Sequence, residues 1–294
     1  MKPTILLISS IKDTAGSHMH AVITRHWQKC DMYHFDDGFE SEVYMYQTPY
    51  YVYYALQIQQ DSVYAQYIEN DLQKKFPNIF AFLFLTKHAS KSGIPSFCVH
   101  TQGNIGQNQL GGNAFDVAIC PVLLKNRLFD VLFERNTFGF EVVHECTHHG
   151  PSTTIPSVFY EIGSTQTQWS NNTYAQFMYE CLMQVLAEYK GESQSNAVAV
   201  TLLGGPHTCT NIHQLCVQKK VLLAHACANY ALLDLTTEMI LQLQEKTTVH
   251  PLILVDYKSL NAEQKNHVVQ LLEQCNCKWE KLHIYKKNSL KTTK

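Results

Sequence analysis

The chain lacks an excess of either charge: 23 Lys and Arg stand against 25 Asp and Glu, a net of −2 over 294 residues. That excludes the strongly basic surface of a non-specific nucleic-acid binder, so an RNA partner must meet a local basic patch. KKNSLKTTK at 286–294 is one such patch, although a polar terminus has the same composition. Apolar runs are short, and none approaches the ~20 residues of a membrane-spanning helix. No signal-peptide pattern surrounds Lys2-Pro3-Thr4-Ile5-Leu6. The ten cysteines form no CxxC pair, which removes the usual zinc knuckles and suits reduced thiols in a cytoplasmic protein. No internal repeat and no Pro/Gly/Ser-rich linker divides the chain. The expectation is a monomer without membrane or DNA partners. It forms either one integrated unit over 1–294 or two closely packed α/β subdomains.

What is present is a core-forming composition, 45% apolar and 16% charged, with short apolar runs between helical patterns. Buried strands are expected at 4–9, 79–85, 97–100, 115–119, 158–162, 197–203, 221–226, 251–255 and 279–284. Helices are expected at 15–27, 62–76, 121–133, 171–189, 212–218, 230–244 and 259–274. The Tyr-rich stretch 44–54 reads as an insertion or an edge hairpin. Strand–helix alternation implies an α/β sheet with helices on both faces. Ligand sites in such sheets gather at loops after strand ends. The His-bearing polar turns fall there: Thr86-Lys87-His88, His100-Thr101-Gln102-Gly103-Asn104, Thr147-His148-His149-Gly150-Pro151 and Gly204-Gly205-Pro206-His207.

His144-Glu145-Cys146-Thr147-His148 also spells H-E-x-x-H. On a helix, His144 and His148 would share a face and bind one zinc, with Glu145 as general base of a metallopeptidase. The opposing reading is that His144 ends a strand and packs there. A helix at this place would have room for about three turns, at ~3.6 residues each, between Gly139 and Gly150-Pro151.

Read together, the turns resemble the archaeal and plant type of D-aminoacyl-tRNA deacylase. Lys87-His88-Ala89-Ser90-Lys91 resembles its R-H-S-S-K turn, and Pro95 through Asn104 its L-P-x-x-x-x-H-x-x-G-N segment. Gly111-Gly112 with Phe115 to Pro121 resembles G-G followed by F-x-V-A-I-P. Glu145 to Ser152 resembles E-A-T-H-H-G-P-T, and Glu161-Ile162-Gly163-Ser164 with Trp169 resembles E-I-G-S followed by W. Gly204 to His207 and Val255-Asp256-Tyr257-Lys258 resemble G-G-G-H and V-D-W-K. Departures are Cys146 for alanine, Pro206 for glycine, and Thr208-Cys209-Thr210 where the family has Y-A-P.

The resemblance implies a phosphorylase/peptidyl-tRNA-hydrolase-like α/β sandwich with a mixed, mostly parallel central sheet and helices on both faces. It implies hydrolysis of the ester between a D-amino acid and the 3′ ribose of tRNA, and a zinc cofactor. Candidate catalytic residues are His148, His149, Glu161 and Thr147. Lys87, Lys91, Asn104, Gly204 and Gly205 are candidates for substrate binding. His148, His149, Glu161, His100 and His207 are candidate metal ligands, with His88 beside them. His148 and His149 stand as ligand or general base. An extended backbone would turn the two side chains to opposite sides. Bare N–H groups at Gly204-Gly205 would meet a phosphate or oxyanion, and Phe97, Tyr160 and Trp169 are candidate platforms for the terminal adenine.

Overall fold

The computed structural model describes residues 2–108, 110–192 and 197–289. The first half builds β1 (Thr4–Ser10), α1 (Thr14–His26), β2 (Gln28–His34), β3 (Glu40–Gln47), β4 (Val52–Ile58), α2 (Glu69–Leu72), β5 (Ile79–Ala89), β6 (Ser96–His100), β7 (Gly103–Asn104), β8 (Asp116–Val117) and α3 (Val122–Arg135). Then follow β9 (Glu141–His144), β10 (Ser157–Ser164), α4 (Gln166–Trp169), α5 (Asn172–Glu188), β11 (Val198–Leu203), α6 (His213–Val217), β12 (Val221–Cys227), α7 (Thr237–Glu245), β13 (Leu252–Val255), α8 (Ala262–Gln274), β14 (Trp279–Lys281) and α9 (Leu282–Ser289). Among the described residues no helix is long and apolar enough to cross a membrane.

The strands form an eight-stranded sheet in the order β2-β3-β4-β1-β5-β10-β6-β9 and a four-stranded sheet β12-β11-β13-β14. The larger sheet is mixed, with parallel pairing at β4-β1-β5-β10 and at β6-β9; the smaller is parallel throughout. Its centre alternates sides as period-2 geometry requires. Ile5, Leu7, Leu83 and Leu85 enter the main core, while Leu6, Ile8, Phe82, Phe84 and Phe159 enter a second cluster on the other face. The main core continues under both sheets, from Ile5 to Val200 and Leu223.

Helix α3 links the sheets, packing on β6 and on β12. Its buried Asn126 mimics a strand: Oδ1 accepts from Leu223 N at 3.0 Å, and Nδ2 donates to Leu223 O at 2.9 Å and Val122 O at 2.7 Å. The start of α3 has no side-chain cap at Pro121; Glu192 takes that role, accepting from Leu123 N and Leu124 N at 2.8 and 3.0 Å.

Several expectations change. The helix expected at 62–76 is broken into a short turn (Ser62–Tyr64) and α2, because Tyr67 adopts φ 48° between them. The helix expected from 230 begins at Thr237; Asn229–Asp234 forms a separate 3₁₀ turn. Strand 279–284 stops at Lys281 and continues as α9, and 115–119 narrows to Asp116–Val117. The Tyr-rich stretch does form a hairpin, β3–β4, but β2 lies outside it as the edge. Of the basic patch at 286–294, Lys286 donates to Asn211 O, and 290–294 lie outside the described residues.

Asn126→Ala should leave Leu223 N–H and C=O without partners. The expected cost is about 2–4 kcal/mol of stability, read as a lower urea midpoint with unchanged slope.

Candidate active site

The site grows out of the second face of the large sheet, where the apolar rows give way to polar ones. Along β5 that face runs Phe82, Phe84, Thr86, His88; along β10 it runs Phe159, Glu161, Gly163. Register places Phe84 by Phe159, Thr86 by Glu161 and His88 by Gly163, while antiparallel β6 brings His100 to Phe159 and Cys98 to Glu161. A Cβ on Gly163 would sit 2.6 Å from the His88 ring and 2.6 Å from Ser96 Oγ. Glycine is therefore needed here for the imidazole to lie against the strand.

The segment after β9 closes over this face and is held by both sheets. Glu145 N donates to Val99 O at 3.2 Å, Cys146 N to His207 O at 2.8 Å, and Thr147 N to Ala226 O at 2.8 Å. The H-E-x-x-H helix is not formed. His144 is the last residue of strand β9, and its ring stacks on Phe129 with centroids 4.1 Å apart. Successive strand side chains point oppositely, so His144 enters the core beneath α3 and Glu145 enters the site. The pair cannot serve one metal with His148, and the metallopeptidase reading falls.

His148 and His149 also depart from expectation. His149 has φ 49°, so the backbone turns instead of extending. Both rings then face one cluster, 4.3 Å apart, and lie 4.4 and 4.9 Å from His100. His148 Nδ1 lies 2.9 Å from Cys146 O and His149 Nδ1 lies 2.6 Å from Gly150 O. A carbonyl oxygen only accepts, so each Nδ1 carries the proton and each Nε2 keeps its lone pair. The turn is possible because glycines pack back to back beneath it. A Cβ on Gly150 would come 2.3 Å from Gly112 N.

At the centre lies Glu145, 1% exposed, with one carboxylate oxygen 3.1 Å from His88 Nδ1 and 3.1 Å from His207 Nε2. Burial works against its charge, but His207 and His88 outweigh it and hold Glu145 well below the usual carboxylate range. The partners respond in kind. Burial opposes the charge of each imidazole, yet Glu145 raises His88, and Cys146 with Glu145 raises His207. Glu161 goes the other way, pushed well above its usual range by burial and by the charge of Glu145. It accepts from Thr86 Oγ1 at 2.8 Å, with its other oxygen 3.6 Å from His100 Nε2. Burial drives His100 down to about 4, His149 to about 3, and His148 well below its ordinary value. The site thus sets a carboxyl pushed down beside one pushed up, and two imidazoles pushed up beside three pushed down, a separation that suits acid–base chemistry.

Around this cluster lies a cavity of about 430 Å³ lined by Asp61, Val63, Tyr64, Lys87, His88 and Glu161. A second hollow of about 500 Å³ lies against Asn104, Gly106, Tyr230 and Asp234 and shares Leu110, His148 and His149 with the first.

The remaining expected residues are placed as follows. Thr147 Oγ1 meets His225 Nδ1 at 3.0 Å, so its hydroxyl braces β12. Asn104 spends its Nδ2 on Gly111 O and Asn113 O at 2.8 and 3.0 Å, shaping the loop. The N–H groups of Gly204 and Gly205 are not bare: they donate to Cys227 O at 2.8 Å and Asn229 Oδ1 at 2.7 Å. Lys87 lines the first cavity with its Nζ 5.8 Å over the Trp169 ring, whereas Lys91 lies exposed in the turn beyond β5, away from both cavities. Phe97 and Tyr160 are fully buried and cannot stack on a ligand. Read alone, the sequence assigns Glu145 a role only in the peptidase, and Tyr230, which stands where the family resembled has a tyrosine, no role at all. The signal for Glu145 was its place directly before Cys-Thr-His-His.

The sequence profile of the D-aminoacyl-tRNA deacylase family matches residues 76–280. The D-aminoacyl-tRNA deacylase of Ignicoccus hospitalis is 30% identical over 194 residues, 66% of this chain and 77% of that protein. That of Archaeoglobus fulgidus is 29% identical over 274 residues, 91% of this chain and 92% of that one. The crystal structure of a conserved protein of unknown function, AF0625, superposes with a TM-score of 0.84 at 25% identity, over 98% of each chain. On that profile match and those relatives, with the matching turns gathered into one buried cluster, the chain belongs to the D-aminoacyl-tRNA deacylase family.

Proposed function

We propose that the protein hydrolyses the ester of D-aminoacyl-tRNA, releasing the D-amino acid and free tRNA. The observation that carries this reading is the meeting of His148-His149 and Glu161, from the two most specific turns, in one water-accessible pocket over the sheet. Relatives named D-aminoacyl-tRNA deacylase supply the substrate class.

The residues divide the work. His88, kept protonated through Nδ1 by Glu145, presents its Nε2–H to the oxyanion that forms when water adds to the ester carbonyl. Glu161, held toward its protonated form by burial, gives its proton to the leaving 3′ oxygen and regains one from the water that has added to the carbonyl, so the acid is restored at the end of the cycle. Asp61, which has no side-chain partner among the described residues, faces the cavity with Val63 and Tyr64 and accepts the substrate ammonium. All ten cysteines are free thiols, which suits the reducing cytoplasm where tRNA is charged.

We also propose zinc as the cofactor. His100 is fully buried with neither ring nitrogen partnered, and its donor atom lies within 4.8 Å of those of His148 and His149. His148 and His149, with Nδ1–H fixed on backbone carbonyls and Nε2 free, have the ligand form that zinc takes. A zinc ion held by these three histidines would polarise the ester carbonyl as a Lewis acid.

The direct test compares D-Tyr-tRNA with L-Tyr-tRNA: selective release of D-tyrosine is expected, and equal rates or none would refute the reading. Glu161→Gln should lower kcat by about 10²–10⁴-fold. Glu145→Gln, which keeps the shape and removes the charge that holds His88 protonated, should lower it by about 10²-fold or more. For the metal, elemental analysis of purified protein should find zinc that a chelator strips with loss of turnover. His100→Ala should lower the zinc content, and an unchanged content would exclude His100 as a ligand.

A further inference from the structure

We infer that Tyr230 is the stacking platform for the terminal adenine of the tRNA and that Asp234 accepts a hydrogen bond from the ribose 2′-hydroxyl. This rests on the tRNA-ester reading above. Both residues belong to the 3₁₀ turn after β12 and line the second hollow.

Tyr230 is 68% exposed as a residue, the largest exposure among the large apolar and aromatic residues described, with its ring near-parallel to that of His207 at 6.3 Å between centroids. Its hydroxyl is nevertheless fixed, 3.1 Å from His207 Nδ1 and 3.4 Å from Cys146 Sγ. An aromatic side chain anchored at its polar end and bare on its face loses little freedom when a flat ligand covers it. Stacking on such a ring accepts any base, because every base has a π-face. The other aromatic candidates are used elsewhere. Phe97 and Tyr160 are buried, and Trp169 donates its Nε1–H to His88 O at 3.1 Å, on the side of the first cavity.

Asp234 is exposed and has no hydrogen-bond or ion-pair partner among the described residues. Its carboxylate packs directly against Gly106 at the wall of the hollow, where a Cβ would lie 2.8 Å from Asp234 Cγ. An ionised carboxylate only accepts hydrogen bonds, and a ribose hydroxyl donates them. The 2′-hydroxyl is also the group that marks the terminal nucleotide as RNA.

The two hollows meet at His148 and His149. An ester seated at that junction sends its aminoacyl part toward Asp61 and Tyr64, and its adenosine toward Tyr230 and Asp234. Tyr230 contacts His207, which holds Glu145, so filling the adenosine side also packs against the charged centre.

The test is steady-state hydrolysis of D-Tyr-tRNA ending in adenosine or in 2′-deoxyadenosine, by wild type, Tyr230→Phe, Tyr230→Ala and Asp234→Ala. Binding of adenosine monophosphate is followed separately by ligand-observed NMR, and thermal melting checks that each variant is folded. Tyr230→Ala should raise KM about tenfold or more, with kcat changing less than KM, while Tyr230→Phe, which keeps the ring and loses its anchor, should raise KM by less than Tyr230→Ala. The deoxy terminus should raise KM for wild type but not further for Asp234→Ala. Equal KM for Tyr230→Ala and wild type overturns the platform, and so does Tyr230→Phe behaving like Tyr230→Ala. Equal discrimination by Asp234→Ala and wild type overturns the ribose contact. Adenosine monophosphate that binds wild type but not Tyr230→Ala, with no hydrolysis of D-Tyr-tRNA, supports the nucleotide site and refutes the ester reading. Hydrolysis with neither effect does the reverse.

Discussion

The structure depends on a single buried charge, the carboxylate of Glu145. Taking an ion out of water costs several kcal/mol unless partners replace the lost hydration. Those partners come from different sheets: His88 from β5 of the large sheet, and His207 from the loop after β11 of the small one. The backbone of the same segment is tied to both sheets, at Val99 and at Ala226. Displacement of either sheet would strand the charge, so the two-sheet arrangement and the site are specified together. The protonation pattern follows. Glu145 raises His88 and His207, while burial together with the field of Glu145 pushes Glu161 up. His100, His148 and His149, buried more deeply, stay uncharged.

Much of the fold was legible because its signals are local. β1, β5, β10 and β12 are apolar runs of strand length, and α1, α3 and α5 carry clear periodicity, so these elements appear within a few residues of expectation. The misses have physical causes. β2 is a polar edge strand and β3 lies beside it, together with about half their residues exposed, which leaves no apolar run to read. The helix expected at 62–76 fails at Tyr67, whose left-handed backbone donates to Ser152 O and pins the segment under the active-site turn. Tertiary contact, not propensity, decided that break.

The site was legible as a set of turns and not as a geometry. Order along the chain pointed to His88, His100, His148, His149, Glu161 and His207, and the structure brings all six together. It could not give their orientation. His149 reaches the cluster through a positive φ that an extended reading forbids, and Gly204-Gly205, read as open donors, are satisfied internally. H-E-x-x-H misled because a residue pattern carries no secondary structure of its own. In a strand, His144 and Glu145 must part, and the one that enters the site is the one that matters.

The division of protons between two nearby carboxyls is the central physical claim. Infrared difference spectroscopy on metal-free protein at neutral pH reads it directly, through the carbonyl stretch of a protonated acid. The account predicts one such buried band, lost in Glu161→Gln and kept in Glu145→Gln. A band lost in Glu145→Gln and kept in Glu161→Gln would reverse the assignment and remove the charge on which both sheets converge.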